Sequence, residues 1–143
     1  MHKSKIATSR FGAIGIKAAN GIVIIENWSD TENISVRPII ETSKKVLLFA
    51  GNMGRLQGLE ILLKALKNTK DEPYSFTFIG SGALENHIKV FIEKEKIGHV
   101  EKYGWVPRNE QYKFMAKATI GVVSLKKDMY GLGVPSKFYN LLA

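Results

Sequence analysis

Cysteine is absent from this chain, and with it every disulfide, thiolate nucleophile and thiolate metal site. A reducing cytoplasm is compatible with that composition. No apolar run approaches the roughly 18 residues that a membrane-spanning helix needs. The opening Met1-His-Lys-Ser-Lys5 leads into no signal-peptide core. Acidic residues are scarce, 13 against 21 Lys plus Arg, which leaves a net charge of +8. There is no Asp-X-Asp, and His2, His87 and His99 stand apart without ligand spacing, so no metal site is expected and all three read as surface residues. The positive excess suits a phosphorylated ligand, an anionic membrane surface or nucleic acid. Basic residues are scattered, with only pairs such as Lys44-Lys45 and Lys126-Lys127, so nucleic acid is not the expected partner.

What the chain does have is an α/β pattern. Its 143 residues are 45% hydrophobic, enough for one domain with a sizeable core. The apolar run Val46-Leu-Leu-Phe-Ala50 breaks at Gly51, and Gly51, Gly54 and Gly58 precede leucines at 59, 62, 63 and 66 in helical spacing. Strand, glycine loop and helix together make an anion site. Glycines let the backbone approach a ligand closely, and a helix amino terminus presents unpaired N–H groups with a partial positive charge. The spacing fits neither the dinucleotide fingerprint nor the P-loop.

The remainder alternates in the same way. Strands are expected at Ile22 to Ile25, Phe76 to Ile79, Val100 to Tyr103 and Ile120 to Val123. Helices are expected from Leu84 to a stop near Ile97-Gly98, between Asn109 and Lys117, and from Ser136 onward. Unbroken apolar strands between helices predict a Rossmann-like parallel sheet covered on both faces. Ala143 falls within a helical pattern without a cap or a returning strand, so the domain is expected to be truncated there.

Five segments in order carry a resemblance: Phe49 to Glu60, Phe78 to Gly82, Tyr103 to Pro107, Ala118 to Leu125 and Val134-Pro-Ser-Lys137. Together they resemble the C-terminal, donor-binding domain of family-4 (group 1) glycosyltransferases of the two-Rossmann-domain type, in the branch that builds bacterial surface polysaccharides. Ile25-Glu-Asn-Trp-Ser-Asp30 resembles the segment just ahead of that domain's core. The resemblance implies that residues 1–43 lead in from an N-terminal acceptor domain and that 44–143 form the donor-binding domain. It also implies binding of a nucleotide-activated sugar, commonly a UDP-sugar, and transfer of the sugar to a saccharide or lipid-linked acceptor. No cofactor or metal would take part, because helix amino termini and basic side chains neutralise the diphosphate. Such a protein would be cytoplasmic, with peripheral contact at the inner membrane, and this piece alone would be inactive.

Carried over residue by residue, the resemblance makes Gly51, Asn52 and Gly54 the loop under the diphosphate, with Arg55 and Lys137 as charge partners. Ser136 would add a hydroxyl and a helix-start amide. Gly80, Ser81 and Gly82 would open a loop near the nucleotide, and Trp105 and Val106 would lie beside the base. Asn140 occupies the position where relatives usually grip the ribose with Glu. Asn52 and Gln57 replace the Arg and Lys that touch phosphate in many relatives. Two other readings stay open: a non-catalytic nucleotide-sugar binding module or degenerate fragment, and a basic α/β interaction domain.

Overall fold

The computed structural model describes residues 44–129 together with 137, 138 and 141. The expected strand at 22–25, the segment from Ile25 to Asp30, His2, the Val134-Pro-Ser136 stretch and Asn140 lie outside these residues. Four parallel strands make one sheet: β1 (Lys45–Ala50), β2 (Tyr74–Ile79), β3 (Val100–Tyr103) and β4 (Ile120–Gly121), in spatial order β3-β2-β1-β4. Between them run α1 (Leu59–Asn68), α2 (Glu85–Glu95) and α3 (Arg108–Met115), with a 3-10 turn at Arg55–Gln57 ahead of α1.

Side-chain alternation sorts the core into two layers. Phe49, Phe76 and Phe78 point to one face, where they meet Leu59, Leu63 and Leu66 of α1 and Ile88 of α2. Leu48, Ala50 and Ile79 point to the other, against Val106, Ala118 and the α3 residues Phe114 and Met115. Lys67 and Glu95 bridge the far ends of α1 and α2 at 2.7 Å.

The differences from expectation are local. β4 is shorter than the expected run to Val123, although the Val122 amide still donates to Leu48 O at 2.7 Å. Beyond it the chain bends away, and Ser124 Oγ donates to Gln57 O at 2.6 Å. The stop of α2 is made by Lys96, which adopts the left-handed φ of 52°, rather than by Gly98.

His99 corrects the surface reading of the histidines. It lies edge-on to Tyr74 at 4.6 Å between centroids, and both ring nitrogens are buried with no hydrogen-bond partner among the described residues. Burial holds its pKa below the usual 6.5, the nearby Lys44 adds to this, and Asp71 opposes it. The unfolded chain therefore binds more protons than the fold just under pH 6.5, and stability falls as pH drops through that window. Replacing His99→Phe is expected to flatten this part of the stability–pH curve in urea titrations. An unchanged slope would show that the ring is solvated.

Candidate functional site

All four strands are parallel, so the loops that follow them meet at one edge. β1 leads to β2 and β3 on one side, while β4 pairs with β1 on the other. The order reverses between β1 and β4, which is where an open α/β sheet leaves a crevice at its carboxyl edge. The loop after β1 and the loop after β4 are laced together there. The bond from Ser124 to Gln57 is joined by Lys126 N–H donating to Leu56 O at 3.0 Å.

Lys137 reaches into this place from 80 residues away in sequence. Its stem lies along Gly51, where a Cβ would sit 3.0 Å from Lys137 Cδ. The ammonium stands 3.9 Å from the centroid of the buried Phe49 ring and donates to Gln57 Oε1 at 3.2 Å. A cation held over an aromatic face gains about 0.5–2 kcal/mol. Burial more than offsets that preference for charge, lowering the Lys137 pKa from 10.5 to about 8. Among the described residues it has no carboxylate partner.

The glycines have a structural cause of their own. Gly51, Gly80 and Gly82 adopt φ of 133°, 124° and 151°. A Cβ on Gly80 would lie 2.1 Å from Gly51 O, and one on Gly82 would lie 2.5 Å from Asn52 Oδ1 and 2.7 Å from the Met53 backbone. The loops after β1 and β2 are thus pressed together, and they share hydrogen bonds. Gly51 N–H donates to Ile79 O, and Met53 N–H to Ser81 O, both at 2.8 Å.

This narrows which amides of the glycine loop are unpaired. The sequence reading assigns the Gly51 loop and the start of α1 to the anion, but the Gly51 and Met53 amides are spent on the neighbouring loop. Gly58, at φ 62°, is buried with its Cα toward the Leu125 and Lys126 backbone, so the 3-10 turn separates the glycine loop from α1. Asn52, Gly54, Arg55 and Leu56 are among the amides of this edge without a backbone acceptor among the described residues, as are those of Gly58, Leu59 and Glu60 at the start of α1.

The other expected site residues are scattered along the same edge. Asn52 is exposed between Gly54 and Gly82, its Nδ2 3.0 Å from where a Gly54 Cβ would be. Arg55 is exposed at the start of the turn and makes no ion pair among the described residues. Ser81 is exposed. Trp105 is 71% exposed after β3. Val106 is half-buried, and its carbonyl accepts from Gln111 Nε2 at 3.0 Å, which leaves one lone pair of that oxygen for a base. Ser136 and Asn140 lie outside the described residues. Phe49, Gln57 and Ser124 were not read as site residues; the only sequence signal was the resemblance, which implies a charged side chain where Gln57 stands. Among the described residues no three His, Asp or Glu converge on a metal position, and no helix is long and apolar enough to cross a membrane.

The model of the family described as glycosyl transferases group 1 matches residues 30–134. The probable glycosyltransferase WbjE of Pseudomonas aeruginosa is 34% identical over 131 residues, which cover 85% of this chain and 33% of that protein. The chain spans about a third of the length of the curated relatives it matches. Among solved structures, a mutant of S. aureus TarM in complex with fondaparinux, α-GlcNAc-glycerol and UDP aligns at TM-score 0.61 and 19% identity, over 82% of this chain and 23% of that one. The lipopolysaccharide outer core galactosyltransferase WaaB aligns at TM-score 0.59 and 18% identity, over 89% of this chain and 39% of that one. At such identities the structures share the fold.

Proposed function

Since the chain belongs to the group 1 glycosyl transferases, we propose that it forms the donor-binding part of a transferase acting on a nucleotide-activated sugar, with UDP as the nucleotide. The observation that carries this reading is Lys137 lying over Gly51, its ammonium within the crevice and without a carboxylate partner among the described residues. A diphosphate is the group that such a cation and the amides of Asn52, Gly54, Arg55 and Leu56 would hold together. The UDP in the TarM complex supports uridine as the nucleoside.

In the reaction, the bond from the sugar C1 to the diphosphate oxygen breaks and a bond from the acceptor oxygen to C1 forms. The acceptor gives up its proton to a base beyond the described residues. Negative charge gathers on the departing diphosphate, and preorganised donors there are worth about 3–4 kcal/mol each. Lys137 and the loop amides are assigned that role, with no cofactor; Arg55 and Ser136 are secondary candidates. Trp105 stands exposed beside the edge where a base would lie. The acceptor, a polysaccharide or lipid-linked saccharide, belongs to the portion of the relatives that this chain does not span. The +8 charge suits a cytoplasmic protein working against an anionic membrane face.

Calorimetry with UDP and uridine tests the reading on this chain. UDP is expected to give saturable heat and to bind more tightly than uridine, and Lys137→Ala to erase most of that preference. No heat from UDP at millimolar concentration removes the site. Equal losses for both ligands would deny Lys137 a phosphate role.

A further inference from the structure

Lys137 would be a poor phosphate ligand if its flexible stem were free to wander, and the structure shows what restrains it. Gly51 provides the track for its methylenes and the Phe49 ring provides the floor. Neither sets the direction of the ammonium protons. Gln57 does, through the 3.2 Å contact to its Oε1. The backbone of Gln57 is itself fastened at both ends: its N–H donates to Gly54 O at 3.2 Å and its carbonyl accepts from Ser124 Oγ. The side-chain amide is thus an acceptor carried on a tied turn.

We propose that Gln57 is a positioning residue for the diphosphate: it orients the Lys137 ammonium by a neutral hydrogen bond and leaves that charge whole for the donor. The proposal rests on the donor-site reading above. Its physical content lies in the choice of an amide. A lysine ammonium carries three donors and no acceptor, so with one bond to Gln57 and the Phe49 ring beneath it, an N–H group remains to meet a phosphate oxygen. A carboxylate at position 57 would orient the ammonium equally well but cancel its charge and repel the diphosphate. A second cation there would push Lys137 off the Phe49 ring. The neutral residue that the resemblance reads as a lost phosphate contact is by this account the mount of the remaining cation.

The test uses the whole chain with ¹³C-labelled lysine, comparing wild type, Lys137→Ala, Gln57→Leu and Gln57→Glu. Thermal unfolding checks each fold. Both substitutions at 57 are expected to fold, because the bonds that tie this turn are made by the backbone of Gln57. The Lys137 Cε resonance should titrate near pH 8 in wild type, and Gln57→Glu should raise its midpoint by about one unit or more. Loss of one hydrogen bond in Gln57→Leu should reduce the preference for UDP over uridine about 2- to 10-fold. Gln57→Glu should reduce it further. Where wild type prefers UDP and Lys137→Ala loses that preference, an unaltered preference in Gln57→Leu overturns the positioning role alone. A Lys137 midpoint that does not move in Gln57→Glu overturns it as well. A wild type without preference for UDP defeats the donor-site reading itself, and this proposal falls with it.

Discussion

Replacing Gly80→Ala is expected to cost about 3–5 kcal/mol of folding stability, against the 5–15 kcal/mol that holds a typical domain together. Two independent effects add at this position. An L side chain is strained at φ 124°, and its Cβ would come within 2.1 Å of Gly51 O. That oxygen is backbone and cannot rotate away. It belongs to the residue whose N–H is bonded to Ile79 O, so displacing it breaks the junction between the loops after β1 and β2. Equilibrium urea unfolding measures the loss, and Gly104→Ala is the control. Nothing lies within 4 Å of a Cβ on Gly104, and its φ is outside the left-handed region, so about 0.5 kcal/mol or less is expected there. Similar losses at both positions would mean that the loops are not in contact as described.

The second large effect is on ligand binding and pH. Lys137→Ala is expected to weaken UDP about 10- to 100-fold, the range for loss of a hydrogen bond to a charged group. The wild-type preference for UDP over uridine should be level near pH 7, where the ammonium is mostly charged, and begin to fall as pH nears 8. Above that it should fall by up to about tenfold per unit, because the ligand prefers the protonated lysine and must recruit the proton. Taking the ratio of the two ligands cancels ionisation of the uracil ring. The sign for stability is opposite. Folding without ligand disfavours the ammonium, so the unfolded chain binds more protons between pH 8 and 10.5 and stability rises with pH across that window. Lys137→Ala should remove both trends. A preference that stays level up to pH 10 would show that the charge of this lysine does not touch the ligand.

Both results turn on the same edge of the sheet, and sequence reasoning reached it unevenly. The strands at 45–50, 74–79 and 100–103 and the helices at 59–68 and 108–115 were legible because short apolar runs and helically spaced apolar residues mark them in the chain. The glycines at 51, 80 and 82 were legible as a loop signal, but their purpose was not. Part of it is the contact of two loops with each other, which spends amides that a sequence reading would give to a ligand. His99 read as a surface residue because nothing next to it in the chain shows that Tyr74 lies against it. Gln57 read as a lost charge because its value depends on a lysine that folding brings to it.

From the sequence alone came the alternation of strand and helix, the family pattern, the excess of positive charge and the choice of Lys137 as the cation to watch. The pattern and the charge depend on residue type and short spacing, which a linear chain displays openly, and Lys137 follows from the family resemblance that its motif carries. Tertiary structure alone decided that Lys137 lies over Gly51 and Phe49, that Gln57 meets it across 80 residues, and that the Gly51 amide is already bonded. Such facts are distances between segments remote in the chain. They arise only when β4 docks on the far side of β1 and draws the loops after both strands into one crevice.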